Sequence, residues 1–270
     1  MSYKLGVIGF GNIAQAIITP LLDNDIINPE NVICLVKTKE SLDFLKKTYK
    51  YKINIYQSNS DQAHSLCDCP YKLLAVKPQQ IDEISHFSGK INQSSTLISI
   101  VAGVSINNLQ ERFPSHECVR AITNIPITIG KGLTGLAWGN LIDQDRKEFV
   151  KKIFNKSSKI YEFNEEYLDI FLALTSSAPA IIALIIESLS DGGLSGGLNK
   201  KLSEELAIEM MLGTVLLLKE AEMSTSKLKN MVTSPAGTTI SALRILEKNG
   251  VRSSLIESII AAYKRSKDFS

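Results

Sequence analysis

The chain has 270 residues, 44% hydrophobic and 21% charged, which excludes a disordered or fibrous protein and leaves room for one large or two unequal domains. Its 30 Lys and Arg against 28 Asp and Glu leave a net charge of +2, too near neutral to grip nucleic acid or an anionic membrane. The 4 cysteines (Cys34, Cys67, Cys69, Cys118) are too few for a disulfide framework, and Cys67-x-Cys69 lacks the His or further Cys of a metal site, so free thiols and no metal are expected.

In chain order, a Gly-rich strand and turn begin by Gly6, which leaves no targeting segment, and a cytoplasmic chain is expected. Leu5-Gly6-Val7-Ile8, Val32-Ile33-Cys34-Leu35-Val36 and residues 53–56, 73–76 and 97–101 read as short buried strands bounded by turn or helix-start residues. Residues 13–22 and 41–49 are suited to crossover helices between them. The repeating strand–helix order predicts an α/β fold with a Rossmann-like doubly wound sheet. Residues 118–122, 133–137 and 159–163 add three further strands, with a helix over 143–154. The strand pattern then stops, which places a dinucleotide-binding domain at 1–163 and an all-helical dimerisation domain at 164–270. The uncharged run 170–186 falls short of the ~20 apolar residues of a membrane span and carries Thr175 and Pro179, so a helix buried against protein is expected. Apolar residues three and four apart predict helices over 202–220, 239–246 and 255–263. Leu206, Ile208, Met210, Leu212, Val215 and Leu217 exceed what one small bundle can hide, which predicts a homodimer through this domain, with higher oligomers left open.

Gly9-Phe10-Gly11-Asn12-Ile13-Ala14 carries G-x-G-x-x-A between the first strand and the first helix. Gly9 suits the tight turn, Gly11 lets the backbone approach a pyrophosphate, Ala14 keeps helix and strand close, and the helix start offers free N–H groups. A dinucleotide is expected; a structural turn is the alternative. The second strand ends in Val36-Lys37-Thr38-Lys39 with no carboxylate before Glu40, which favours a 2′-phosphate and hence NADPH, with NADH open and a solvated basic loop as the alternative. In Val76-Lys77-Pro78-Gln79 the Pro shapes the loop over the ribose, and Lys77 reads as a positioning residue. His64, His86 and His116 stand among polar, surface-like neighbours, and none is assigned to catalysis.

Residues 228–243, which contain Thr233-Ser234-Pro235-Ala236-Gly237-Thr238-Thr239, resemble the signature of pyrroline-5-carboxylate reductases. The resemblance spans nearly the whole chain and includes Gly9 to Ala14, Ala75-Val76-Lys77-Pro78-Gln79, Ala102-Gly103-Val104-Ser105, Asn124-Ile125-Pro126, Ser177-Ala178-Pro179-Ala180 and Asp191-Gly192-Gly193. It implies NADPH-dependent reduction of 1-pyrroline-5-carboxylate to L-proline in a cleft between the domains. The candidate cofactor set is Gly9, Gly11, Asn12, Ile13, Lys37, Asn59, Val76, Lys77 and Ala102. The implied substrate set is Glu222, Gly237, Thr238 and Thr239, with backbone groups on the carboxylate and the Thr239 hydroxyl, the catalytic candidate, near the ring nitrogen. Locally, Ser234 or Thr238 reads as a helix cap and Glu222 as an exposed helix-end carboxylate. The chain departs from the family's usual Gly at Ser176, Ala178 and Ala236. Another imine or 3-hydroxyacid reductase, the latter needing a catalytic lysine such as Lys200 or Lys201, and a non-catalytic dinucleotide-binding paralogue are the alternatives.

Overall fold

The computed structural model describes residues 4–85 and 95–268, so His86 lies outside the described residues. The chain clusters into two compact units, one running to Ser176 and joined by the residues from Tyr263 onward, the other Ser177–Ala262. Residues 164–176 and the last turns of the final helix therefore cluster with the sheet.

The first unit holds one eight-stranded sheet: β1 (Leu5–Ile8), β2 (Val32–Val36), β3 (Asn54–Gln57), β4 (Tyr71–Leu74), β5 (Ser95–Ser99), β6 (His116–Thr123), β7 (Gly132–Trp138) and β8 (Ser158–Glu162). The order is β3-β2-β1-β4-β5-β6-β7-β8, parallel except for the β6–β7 pair. Its helices are α1 (Asn12–Asp23), α2 (Lys39–Thr48), α3 (Ile81–Ile84), α4 (Ile106–Arg112), α5 (Gln144–Phe154) and α6 (Leu168–Leu172). Side chains alternate between the two faces of the sheet, and in β1 and β2 both sets are apolar and buried. Leu5, Val7 and Cys34 pack with Ile17 and Leu21 of α1 and Val150 of α5, whereas Ile8, Ile33 and Leu35 pack with Leu66, Ile84 and Leu109. Two covered faces explain why these strands read as continuous apolar runs.

His116 is not at the surface, as its neighbours in sequence suggest; it is 5% exposed at the start of β6. Lys72 on β4 is 1% exposed, donates to the Cys69 carbonyl (3.2 Å) and Ser95 Oγ (3.0 Å), and lies 3.1 Å from His116 Nε2. Burial, with the Lys72 charge beside it, pushes His116 down to about 3, and burial also lowers Lys72. The buried Arg120 pairs with Asp169 (2.7 Å), which also accepts from Ser266 Oγ (3.0 Å), so the end of the last helix is held to the sheet unit.

A π-turn over Ala173–Ser177 follows α6. Asn124 Nδ2 donates to its Thr175 carbonyl (3.1 Å), and Ser176 Oγ donates to the Thr123 carbonyl (2.9 Å). The Ser176 hydroxyl is thus hydrogen-bonded.

The second unit contains α7 (Ala178–Ser195), α8 (Lys200–Glu220), α9 (Thr225–Met231), α10 (Thr238–Lys248) and most of α11 (Val251–Lys267). Helices α7 and α8 pack through small residues, with Ser203 Oγ donating to the Ser190 carbonyl at 2.5 Å. The expectation that 170–186 is buried is not met within the chain. Its helical run, Glu165–Ser195, is long and apolar enough by length and composition to cross a membrane, and only 22% of its most apolar stretch is buried. The expectation rests on the uncharged residues alone, and the helix continues past Asp169 and Glu187.

Candidate functional site

Two parallel strands that send their helices to opposite faces leave a crevice at their carboxyl ends. Here that point lies between β1 and β4. Gly9 adopts φ +88, and a Cβ on it would come within 2.5 Å of the Ala75 carbonyl oxygen, so only glycine fits the turn. Its N–H donates to the Leu35 carbonyl (2.9 Å), and Ala75 N–H donates to the Ile8 carbonyl (2.8 Å). A Cβ on Gly11 would meet open space. Gly11 is the N-cap of α1, with no capping side chain and no acid in the first turn. The N–H groups of the first turn and the helix dipole are thereby available to an anion, and Ala14, 1% exposed, packs the helix onto the sheet. These features fit the pyrophosphate of a dinucleotide.

The remaining cofactor candidates converge on the same edge. Lys37 follows β2, Asn59 follows β3, Val76 and Lys77 follow β4, and Ala102 follows β5; Lys37, Asn59, Lys77 and Ala102 are exposed. A cleft of ≈ 290 Å³ is lined by Gly9, Gly11, Lys37, Ser41 and Phe44, among others. Thr38 is the N-cap of α2, its Oγ1 accepting from Ser41 N (3.2 Å), and Lys37 Nζ pairs with Glu83 of α3 at 2.7 Å. Neither Ser41 nor Phe44 stands out in the sequence as a site residue. The Thr-x-x-Ser spacing is the signal for Ser41, since it puts that hydroxyl in the first turn of a helix directly after β2. Among the described residues no group of three His, Cys, Asp or Glu side chains stands close enough to hold a metal.

In the helical unit, Gly237, Thr238 and Thr239 share the start of α10. Neither Ser234 nor Thr238 caps it, contrary to the local reading: Gly237 is the N-cap, without a capping side chain, because Thr238 is already the first helical residue. No acid occupies the first turn, so this start too is open to a carboxylate. Thr239 is half-buried and Thr238 exposed. The turn before them puts Ala236 at φ +58, the left-handed region that favours glycine. Glu222 lies on a separate turn at the end of α8. It is exposed and also left-handed (φ +46), with Met223 N donating to the Leu218 carbonyl (3.1 Å), a helix ending that ordinarily takes glycine. Lys200 pairs with Asp191 at 2.8 Å and is exposed, and Lys201 is exposed beside it, which disfavours a catalytic lysine of the 3-hydroxyacid type.

Comparison with known proteins agrees with both units. The family described as pyrroline-5-carboxylate reductase dimerisation matches residues 165–269, and that described as NADP oxidoreductase coenzyme F420-dependent matches residues 4–103. A pyrroline-5-carboxylate reductase of Synechocystis is 38% identical over 99% of this chain and 98% of its own length. The structure of a Coxiella burnetii pyrroline-5-carboxylate reductase aligns with a TM-score of 0.85 and 29% identity, covering 100% of this chain and 99% of that one. A Plasmodium falciparum pyrroline carboxylate reductase with NADP bound aligns with a TM-score of 0.83 and 28% identity, covering 99% and 98%. With full-length identity at this level, the Gly9–Ala14 turn at the switch point and the uncapped Thr238–Thr239 helix start, the chain belongs to the pyrroline-5-carboxylate reductase family.

Proposed function

We propose that this chain reduces 1-pyrroline-5-carboxylate to L-proline with NADPH, NADH serving as an alternative donor. The observation that carries the reading is the 38% identity to the Synechocystis enzyme over 99% of the chain, which takes in both the cofactor turn and the helical signature. The bound nicotinamide supplies the hydride that goes to C5 of the ring. The start of α1 at Asn12 and Ile13 receives the pyrophosphate, and Lys37 with Ser41 receives the 2′-phosphate. Asn59, Val76, Lys77 and Ala102 form the loops along the rest of the cofactor. Backbone N–H groups of Gly237, Thr238 and Thr239 hold the substrate carboxylate, the Thr239 hydroxyl orients the ring nitrogen, and Glu222 supports the substrate from the end of α8. A protonated imine is already electrophilic, so orientation and dipoles suffice and no strong acid is required.

The helical unit pairs with a second copy as a homodimer, a reading supported by the exposed leucines of α7 and α8 and by the dimerisation family match. A cytoplasmic location is part of the same reading, supported by a cysteine count of 4 in 270 residues, too few for a disulfide framework. The deciding experiment follows nicotinamide absorbance with purified protein, NADPH and 1-pyrroline-5-carboxylate while L-proline is quantified. Matched cofactor loss and proline gain are expected; turnover of hydroxyacids alone, or of nothing, would overturn the assignment.

A further inference from the structure

Lys37 and Glu83 are 46 residues apart in sequence, one following β2 and the other in α3, yet their charged groups meet at 2.7 Å. Both side chains are exposed, at 59% and 58%, so the pair is free to open. Lys37 lines the cleft together with Gly9, Gly11 and Ser41, and Thr38 spends its side-chain acceptor on capping α2. Lys37 is therefore the cation on this side of the cleft best placed for a 2′-phosphate, and it already has a carboxylate partner. Neighbouring Asp82 has its own partner, Arg112 at 2.7 Å, so Glu83 is the acid of α3 turned toward the β2 loop.

We propose that Glu83 is a specificity-determining residue that tempers the preference for NADPH over NADH by competing with the 2′-phosphate for Lys37. The proposal rests on the reading of Lys37 as the 2′-phosphate ligand. A cofactor without that phosphate leaves the Lys37–Glu83 pair intact. A phosphorylated one has to displace Glu83 and then sits beside a freed carboxylate. An exposed pair is weak, so the effect is a modest factor and is screened by salt.

The test is calorimetric binding of 2′-phosphoadenosine 5′-diphosphate and of ADP to the full chain without substrate. Glu83→Gln is expected to tighten the 2′-phosphorylated probe about three- to tenfold at low salt and ADP less than twofold. The difference should shrink at high salt and vanish in a Lys37→Ala background, and Asp82→Asn should not reproduce it. Equal tightening of both probes, an equal effect of Asp82→Asn, or persistence without Lys37 would overturn the proposal. Because binding is read without turnover, an inactive protein that still discriminates the probes would sink the proposed reaction and leave this inference standing. Failure to bind either probe would sink both.

Discussion

At the scale of single residues, Ala236 carries a cost that one atom decides. It sits at φ +58, where the Cβ of an L-residue crowds the following carbonyl at about 1–2 kcal/mol, whereas glycine is unpenalised but loses more entropy on folding. Ala236→Gly should therefore stabilise the chain by about 0.5–1 kcal/mol in urea unfolding, and a loss of stability would show that the methyl finds compensating contacts. Three residues along, Thr239→Val keeps the side chain's shape and removes its hydroxyl. If that hydroxyl orients the ring nitrogen, one bond to a partly charged group is lost, about 1.5–3 kcal/mol, and kcat/KM should fall roughly 10- to 200-fold, mainly in kcat. Unchanged turnover would reduce Thr239 to a helix-start residue. The candidate set is largely legible in the sequence because glycine turns and the Ser-Pro-Ala-Gly-Thr-Thr segment have fixed local geometry. Phe44 is not, because its cleft-lining role comes from the packing of α2 beside the β1 turn rather than from any pattern of its own, and Ser41 shows only the Thr-x-x-Ser spacing of a helix start.

At the scale of elements, strands are legible through their apolar runs, with ends displaced by one or two residues. Residues 73–76 read as a strand, for instance, where β4 spans Tyr71–Leu74. The shift has a cause: Lys72 looks like a solvent residue, but its ammonium is hydrogen-bonded inside the sheet at the amino end of β4, beside His116 on β6. That cluster makes stability depend on pH. His116 is held neutral in the fold, down to about 3, whereas an unfolded imidazole takes up its proton near pH 6.5. The contribution is complete above about pH 6.5. It is lost as pH falls toward about 3, at up to roughly 1.4 kcal/mol per pH unit, because only the unfolded chain binds the proton. His116→Gln retains an acceptor for Lys72 and removes the titration. Urea midpoints between pH 7 and pH 5 should then fall less steeply than in the parent, and parallel slopes would assign the acid sensitivity to carboxylates instead. The π-turn after α6 has no signal in sequence, since it depends on Asn124 and Thr123, some fifty residues earlier in the chain.

At the scale of the whole molecule, the helical unit does not bury its own apolar surface. In α8, buried Ser203 and Ala207 face α7. Leu206, Met210 and Leu217 line one uncovered face and Ile208, Leu212 and Val215 another, each at least 44% exposed. An excess of this kind is what a second copy relieves. An apolar excess is therefore legible in the composition of α8 alone, whereas the exposure of α7 is not, because it depends on which neighbours the chain supplies. If the interface uses these faces, Leu212→Glu removes about 1.5–3 kcal/mol of apolar burial from each of two symmetry-related sites. Association should then weaken roughly a hundred- to ten-thousandfold, before the cost of the buried charge is added. Sedimentation at micromolar concentration should show a dimer for the parent and a monomer for the variant, with the circular dichroism of the folded chain retained. Flotation with lipid vesicles tests the other apolar partner that the length of Glu165–Ser195 would suit. A parent that floats with vesicles, or that sediments as a fully active monomer, would mean that these leucines are not covered by a second copy.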